Sequence, residues 1–235
     1  MKINNSLITF TNLVRSKSTI LLCILITLIL QLSISATTIV IDNKYNFLSK
    51  QKWYIVLLIS ILSIILIFPI FNTNTPFIIK QILFGLNSII FGLLLSQLII
   101  RINDYNVVKG AAIATMVNFI VLFIFGLVIV KLGINLEWMG ALLLLSLLVL
   151  ITIRIITIFT LDSKEKSIRN RYLSIVSVII FSLYIVYDTN IILNKYDNNS
   201  TTHCVRGALD YYLDIINLFI NFINLKNNKI NNRKK

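Results

Sequence analysis

The sequence predicts an all-α integral membrane protein with seven transmembrane helices. Of its 235 residues, 57% are apolar and only 13% are charged, whereas soluble domains are about half apolar and a quarter charged. Apolar runs of roughly 20 residues, the length that crosses a bilayer, recur along the chain between short polar breaks. Because seven such runs use most of the length, the composition excludes a sizeable soluble domain.

The apolar runs give the predicted spans in chain order. The first run, 19–41, is longer than a signal-peptide core of about 7–15 residues, so we expect it to be retained as a span. Lipid cannot satisfy open backbone groups, and the runs lack the strict alternation of a barrel strand, so each run is expected to be a helix. The other predicted spans are residues 54–72, 77–100, 107–130, 138–158, 172–193 and 207–225.

The basic residues indicate which side of the membrane holds the C-terminus. The chain has 22 Lys and Arg against 9 Asp and Glu, a net charge of +13. With seven crossings, seven basic residues fall on the side of the N-terminus and 15 on the other side. Cytoplasmic loops are enriched in Lys and Arg. We therefore expect an N-terminal tail at 1–18, a transmembrane domain at 19–225 and a basic cytoplasmic tail at 226–235.

Two observations bear on this topology. If the last segment dipped into the membrane and returned, the basic residues would divide 12 to 10 and would not decide the orientation. Overlapping Asn-x-Ser/Thr sequons begin at Asn198 and Asn199, and their use would put the sixth loop in a lumen. Both observations fit seven full crossings better than a re-entrant last segment.

Several other classes of protein are disfavoured. The basic residues lie between apolar runs and form no reading element, so we expect no nucleic-acid partner. Cys23 and Cys204 belong to no metal-binding pattern, His203 has no zinc-ligand spacing, and we expect no structural disulfide. Since the chain has no HExxH, GxSxG or glycine-rich phosphate loop, we predict neither an enzyme nor a bound cofactor.

Three acidic residues fall inside predicted spans: Asp188, Asp210 and Asp214. An acid near the centre of a span costs about 2.5–3.5 kcal/mol, so each needs a reason. Asp188 lies five residues before the end of its predicted span, and Asp214 lies seven residues after the start of the next. At about 1.5 Å per residue, both lie roughly 7.5–10.5 Å below the same membrane face, where adjacent helices could bring the two carboxylates together.

Such a pair has a definite chemistry. Two close carboxylates in a low dielectric cannot both ionise cheaply, so Asp188 and Asp214 are expected to share a proton and form a pH switch or a cation site. Asp210 and Asn217 extend the polar stripe of Asp214 along its helix. The alternatives are that Asp188 faces a luminal water funnel and that Asp210 lies at the membrane interface. Arg154 is expected to snorkel to the cytoplasmic interface.

Small residues in two spans favour close helix packing. Ser88 and Gly92 form a small-xxx-small pair in the third span, and Gly110 opens a run of small residues in the fourth. Small side chains let helix backbones approach each other in lipid, although glycine and alanine are also ordinary residues of spans.

Two segments resemble a known family. Tyr187-Asp188-Thr189 and the later Ala208-x-x-Tyr211-Tyr212-Leu213-Asp214-Ile215-Ile216-Asn217-Leu218-Phe219 resemble the C-terminal signature of the Bax inhibitor family, also called the transmembrane BAX inhibitor motif or lifeguard family. The branch that looks most similar is that of the Golgi anti-apoptotic proteins. The resemblance implies a seven-helix bundle around a central C-terminal helix, set in Golgi or endoplasmic reticulum membranes.

The resemblance also implies an activity. It is a pH-sensitive Ca²⁺ leak that lowers store Ca²⁺ and inhibits apoptosis, with Asp188 and Asp214 as the pH sensor and Ca²⁺ as the permeant ion. The implied partners are membrane lipid, further copies or related family members, and host regulators of apoptosis. A membrane interaction protein without transport and a proton-coupled transporter of small solutes are the alternative functions.

The chain departs from the family pattern at several positions. Golgi relatives carry acids where this chain has Thr201-Thr202 and Asn87-Ser88, and bacterial relatives carry an arginine in span two that is absent here. Asp210, where relatives usually have a neutral residue, is a candidate replacement for a missing acid. The abundance of Ile, Asn and Lys is typical of an AT-rich genome and, with the Golgi-branch likeness, favours a large DNA virus as the source.

Overall fold

The computed structural model describes residues 15–45, 47–48, 53–72, 74–160, 163–196 and 201–233. These residues contain seven long helices and no strand, which confirms the predicted all-α class. The predicted N-terminal tail lies almost entirely outside the described residues. The helices are α1 Ser18–Tyr45, α2 Trp53–Phe71, α3 Phe77–Ile102, α4 Tyr105–Lys131, α5 Met139–Thr160, α6 Ser163–Lys195 and α7 Thr201–Arg233.

The first five helices match their predicted spans, whereas the last two are longer. α6 begins at Ser163, nine residues before its predicted span, and α7 begins at Thr201 and continues to Arg233. Residues 226–233, predicted as a separate tail, are therefore part of α7. The prediction followed apolar character, which marks the membrane-embedded part of a helix, whereas Lys, Glu and Asn can continue a helix into water.

Six helices in the described part of the chain, α1 to α6, are long and apolar enough to cross a membrane. Their outer faces carry large exposed apolar side chains, among them Leu57 and Phe68 on α2 and Leu145 on α5. A soluble protein would not expose so much apolar surface. The chain is thus a multi-pass membrane protein.

The seventh helix, α7, is less apolar because Asp and Asn residues interrupt it, and it is instead buried. Ala208, Leu209, Tyr211 and Tyr212 are all buried completely. At about 100° per residue, these four positions span about 160° of its circumference, so one broad face of this part of α7 is buried. This burial is the pattern expected of a polar helix that packs on its neighbours.

Two tight turns end helices at residues with positive φ. Asn103 ends α3 with φ 46°, and its N–H bonds the Ile99 carbonyl at 3.1 Å. Gly133 follows α4 with φ 72°, and its N–H bonds the Val130 carbonyl at 2.9 Å. Asn and Gly adopt this conformation most easily, and it satisfies the last carbonyls of a helix. These turns form part of the short connections from α3 to α4 and from α4 to α5.

The chain divides into two compact units. The first unit contains Ser16–Asp104 and Tyr196–Tyr212, so it holds α1, α2, α3 and the beginning of α7. The second unit contains Tyr105–Lys195 and the residues from Leu213 onward, so it holds α4, α5, α6 and the rest of α7. In the first unit α3 packs on α1 and α2, and in the second unit α6 packs on α4 and α5.

The small-residue prediction for α3 agrees with the packing of the first unit. A β-carbon placed on Gly92 would lie 2.7 Å from Thr38 Cβ and 2.8 Å from the Ser35 carbonyl oxygen. One turn earlier, the Ser88 hydroxyl donates to Gln31 Oε1 at 2.8 Å. Gly92 and Ser88 therefore allow α3 and α1 to approach closely.

A disulfide joins Cys23 of α1 to Cys204 of α7, with Cα atoms 5.7 Å apart, so the prediction of no disulfide is wrong. α7 starts earlier than its apolar run, which puts Cys204 in the first turn of the helix rather than in a loop. The two cysteines are 181 positions apart, and sequence spacing of that kind cannot reveal a pairing.

Candidate functional site

Asp188 lies on α6 between two residues that fix this helix to its neighbours in the second unit. A β-carbon on Gly140 of α5 would lie 2.5 Å from the Tyr187 hydroxyl, and one on Gly126 of α4 would lie 2.7 Å from Thr189 Cβ. Both glycines are therefore required for the close approach of the side chains. The Tyr187-Asp188-Thr189 motif thus presents a half-buried carboxyl group from a tightly packed segment of α6.

The next residue, Asn190, holds the connection between α4 and α5. It is fully buried, its Oδ1 accepts from the Leu136 N–H at 3.0 Å, and its Nδ2 donates to the Ile134 carbonyl at 2.8 Å. A single amide thereby satisfies two backbone groups of the connection. Sequence reasoning did not identify Asn190, although its position directly after the motif was the available signal.

Tyr184 relates the two predicted sensor residues to each other. It precedes Asp188 by one turn of α6, and both Asp188 and Asp214 act on its phenol electrostatically. Asp214, on α7, is only 4% exposed. The second unit therefore contains two carboxyl groups from adjacent chain segments within electrostatic range of one phenol.

The helix ends alone would not have indicated this relationship. Asp188 lies seven residues before the end of α6, whereas Asp214 lies 13 residues after the start of α7. Because α7 begins earlier than predicted, depths counted from the helix ends no longer match. Their common electrostatic effect on the Tyr184 phenol is what relates the two acids.

Asp210 and Asn217 have different surroundings. Asp210 belongs to the first unit, where it accepts a hydrogen bond from the Tyr196 hydroxyl at 3.3 Å and lies one turn after Arg206, whose charge acts on it. Asn217 belongs to the second unit, and its Nδ2 donates to the Leu213 carbonyl at 2.8 Å. Asn217 lies on the same face of α7 as Asp214, as predicted.

Arg154 points inward, so the prediction that it snorkels to the interface is wrong. Its Nη2 donates to Ser177 Oγ on α6 at 2.8 Å and to Asn221 Oδ1 on α7 at 2.6 Å. Ser177 and Asn221 are 0% and 2% exposed. Two buried acceptors in the second unit supply the hydrogen bonds that the interface would otherwise provide, which explains the inward orientation.

The first unit contains its own buried polar network. The Ser35 hydroxyl of α1 donates to the Ser88 carbonyl at 2.9 Å and lies 2.6 Å from the Tyr212 hydroxyl. The Tyr212 ring packs edge-on against Phe84 at 5.3 Å. Tyr212 therefore acts as a packing aromatic with a satisfied hydroxyl.

Two buried side chains of α3 in this unit have unsatisfied polar atoms. Within the described residues, Lys80 Nζ and both polar atoms of the Asn87 amide are buried and have no hydrogen-bond partner. Buried polar groups are nearly always paired, with protein or with water. The face of α3 on which an acid was expected from the resemblance thus carries polar groups that water could satisfy.

Asp42 is an acid that comes directly after the first predicted span, 19–41. It lies in the last turn of α1, is 0% exposed, and accepts from the Leu48 N–H at 3.1 Å and from Gln97 Nε2 at 3.4 Å. The Ser96 hydroxyl also donates to it. Asp42 therefore joins the end of α1, the following connection and α3. A polar residue directly after an apolar run looks like a loop in sequence, which is why it was missed.

An ion pair lies at the surface of the second unit. Lys195, at the end of α6, pairs with Glu137 in the connection between α4 and α5. The hydrogen bond from Lys195 lowers the pKa of Glu137 below its usual range. Both side chains are about half exposed, so this pair contributes little stability.

The chemistry available to these residues is limited to protons and hard cations. The described residues contain no group of three or more His, Cys, Asp or Glu that could hold a metal ion tightly. Carboxyl, amide and phenol oxygens on α6 and α7 could transiently bind a cation such as Ca²⁺, which prefers oxygen ligands.

Two comparisons with known proteins match this chain. A sequence model of the family described as "Inhibitor of apoptosis-promoting Bax1" matches residues 17–231, nearly the whole chain. An uncharacterized protein of Campylobacter jejuni is 36% identical over 88 residues, which are 37% of this chain and 34% of the relative. That match spans about a third of the relative's length.

Proposed function

Because the chain belongs to the family of the "Inhibitor of apoptosis-promoting Bax1", we propose that it provides a pH-sensitive leak for Ca²⁺ controlled by Asp188 and Asp214. The observation that carries the proposal is that the second unit holds the buried Asp214 together with Asp188, both within electrostatic range of the Tyr184 phenol. Asp214 is buried, and Asp188 lies between two tightly packed residues of α6.

Protons and Ca²⁺ would act on the same carboxyl groups. Close carboxyl groups at low dielectric titrate as a coupled unit, so the charge of the pair changes with pH. Ionised carboxylates attract a divalent cation, and protonated ones do not. A leak through this unit would therefore depend on pH through Asp188 and Asp214.

We propose that this leak operates in the membrane of the endoplasmic reticulum or Golgi, in a host cell if the source is viral. The Cys23–Cys204 disulfide supports an oxidising compartment at the start of α1 and α7. The basic-residue count supports a cytoplasmic position for the C-terminal end of α7. These two independent arguments agree if α7 crosses the membrane.

In this setting the leak would lower store Ca²⁺ and thereby restrain apoptosis, as the resemblance to the Golgi anti-apoptotic branch implies. Assembly with further copies or with related family members in the lipid, and binding to host regulators of apoptosis, belong to the same proposal.

The test is a Ca²⁺ flux measurement with purified protein in liposomes that contain a Ca²⁺ indicator, over pH 6 to 8. We expect wild-type flux to change with pH. Asp188→Asn and Asp214→Asn mimic the protonated carboxyl group, so each should hold the flux at its acidic value at every pH. Asp104→Asn changes an acid in the connection between α3 and α4 and serves as the matched control, with wild-type behaviour expected.

Each other outcome of this experiment counts against the proposal. Absence of Ca²⁺ flux at every pH would favour an interaction protein without transport. Solute uptake that follows a pH gradient would favour the proton-coupled transporter. An unchanged pH response in Asp214→Asn would refute control by the acid pair while leaving a leak in place.

A further inference from the structure

We infer that Arg154 closes the proposed leak at the end nearer the C-terminal residues of α7 and opposes the passage of divalent cations there. This inference rests on the proposed function. Arg154 of α5 lies inside the second unit, where it joins α6 and α7 through Ser177 and Asn221. The family resemblance implies no role for Arg154. The arginine of the bacterial relatives lies in span two, whereas Arg154 lies on α5.

The position of Arg154 follows from the polar stripe of α7. Asp214, Asn217 and Asn221 are spaced by three and four residues, so they lie on one face of the helix. Asn221 is about 10.5 Å further along α7 than Asp214. The Asn221 amide donates to the Asn217 carbonyl at 2.7 Å, which leaves its Oδ1 to accept from Arg154. Arg154 therefore lies at the end of the polar stripe that begins at Asp214.

The contacts of Arg154 fix its place on α6 as well. Ser177, which accepts from Arg154, itself donates to the Leu173 carbonyl at 2.7 Å. Ser177 and Asn221 are both buried, so the guanidinium tip lies among buried polar groups of two helices rather than in lipid. The arginine thus ties α5, α6 and α7 together at one level of the second unit.

The charge of Arg154 acts on any cation that moves along the stripe. A guanidinium group does not lose its proton in proteins, so its positive charge is present at every working pH. Coulomb repulsion is proportional to the charge of the approaching ion, so Ca²⁺ is repelled twice as strongly in energy as K⁺. Arg154 is therefore expected to close the stripe to divalent cations more effectively than to monovalent ones.

Arg154 also has an alternative position. It lies six residues before the end of α5, within reach of the membrane interface for a long side chain. Leaving Ser177 and Asn221 for that interface would remove the charge from the stripe. The inward position is the closed arrangement, and the outward position is the open one.

The test compares Arg154→Gln with wild type in liposomes, with Ca²⁺ and K⁺ flux measured separately. We expect K⁺ flux to rise about threefold and Ca²⁺ flux about tenfold. Doubling the charge of the ion doubles the repulsion energy, so the increase in flux for K⁺ is squared for Ca²⁺. The pH of half-maximal change should rise slightly, because loss of a positive charge on the stripe favours the protonated form of Asp214. Arg171→Gln, an exposed arginine on α6, is the matched control and should leave both fluxes unchanged.

Two further variants separate gating from a structural role. Arg154→Lys keeps the charge and should keep Ca²⁺ flux low, whereas a purely structural arginine would make the Lys and Gln variants equally leaky. Ser177→Ala with Asn221→Ala removes both acceptors and should raise Ca²⁺ flux with Arg154 intact. This double variant provides the test if Arg154→Gln does not fold, as judged by size-exclusion chromatography.

The outcomes distinguish this inference from the proposed function. A wild-type leak whose pH dependence Asp214→Asn abolishes, together with unchanged flux in Arg154→Gln, overturns the role of Arg154 alone. An equal rise for Ca²⁺ and K⁺ overturns the electrostatic argument. Absence of Ca²⁺ flux from both wild type and Arg154→Gln overturns the leak and the gate together.

Discussion

Thr189, the residue after Asp188, packs against the bare backbone of Gly126, where a β-carbon would lie 2.7 Å from Thr189 Cβ and 2.9 Å from its Cγ2. Real β-carbons do not approach other carbon atoms so closely. The position of Asp188 in the second unit therefore depends on a glycine of a different helix, α4. Fixing α6 to α4 in this way limits how far the Asp188 carboxyl group can move.

The glycine contact predicts an asymmetry between two Gly→Ala substitutions. Gly126→Ala should lower the free energy of unfolding by about 1–3 kcal/mol, because the added methyl group overpacks the contact with Thr189. Gly85→Ala is the matched control, since the nearest atom to its β-carbon would be Gln31 Oε1 at 4.0 Å. Unfolding in detergent measures both, and equal stability of the two variants would contradict the packing.

Asp42 predicts a second stability effect. Asp42→Asn replaces one carboxylate oxygen with an NH₂ group that faces the donors Ser96 and Gln97. We therefore expect the free energy of unfolding to fall by about 1–3 kcal/mol. The measurement is the thermal unfolding midpoint in detergent. Lys44→Gln, an exposed change two residues later, should leave that midpoint unchanged. A stable Asp42→Asn variant would show that the carboxylate does not hold α1 to α3.

The disulfide predicts both a stability and a labelling result. Cys23→Ser and the Cys23→Ser/Cys204→Ser double variant should lower the free energy of unfolding by the same amount, about 2–4 kcal/mol, because either change removes this cross-link. In protein denatured with SDS, a maleimide should label the cysteines only after reduction. Labelling of wild type without reduction would contradict the pairing.

The surface pair predicts a small effect with a defined sign. Lys195 lowers the pKa of Glu137 from its ordinary value of 4.5, so the pair stabilises the fold above that pH and loses this effect as the pH falls through the lowered value. Glu137→Gln should therefore slightly lower the unfolding midpoint at neutral pH and low salt. The difference should shrink as the pH falls below 4.5 and should vanish in high salt, and a difference that persisted in high salt would exclude the ion pair as its cause.

Most of the helices could be predicted from the sequence because lipid imposes a length and a composition on each span. The predictions for α1 to α5 agree with the structure for this reason. The additional turns of α6 before residue 172 and of α7 after residue 225 could not be predicted in this way, because apolar character ends at the membrane surface and helical hydrogen bonding does not.

The sequence provides the candidate residues of the site, and their contacts come from the structure. Asp188 and Asp214 stand out because acids are rare in spans. The inward orientation of Arg154 depends on Ser177 and Asn221, which are ordinary polar residues in sequence. Burial of Asp42 likewise depends on donors 54 and 55 positions away, which no local pattern reveals.

We propose that Asp188 and Asp214 act as one unit in controlling a Ca²⁺ leak. The most direct test is the ratio of Ca²⁺ flux at pH 6 to that at pH 8 for wild type, Asp188→Asn, Asp214→Asn and the double variant. If the acids form a pair, each single variant abolishes the pH response and the double variant adds nothing further. Independent, additive losses from the two single variants would contradict the claim.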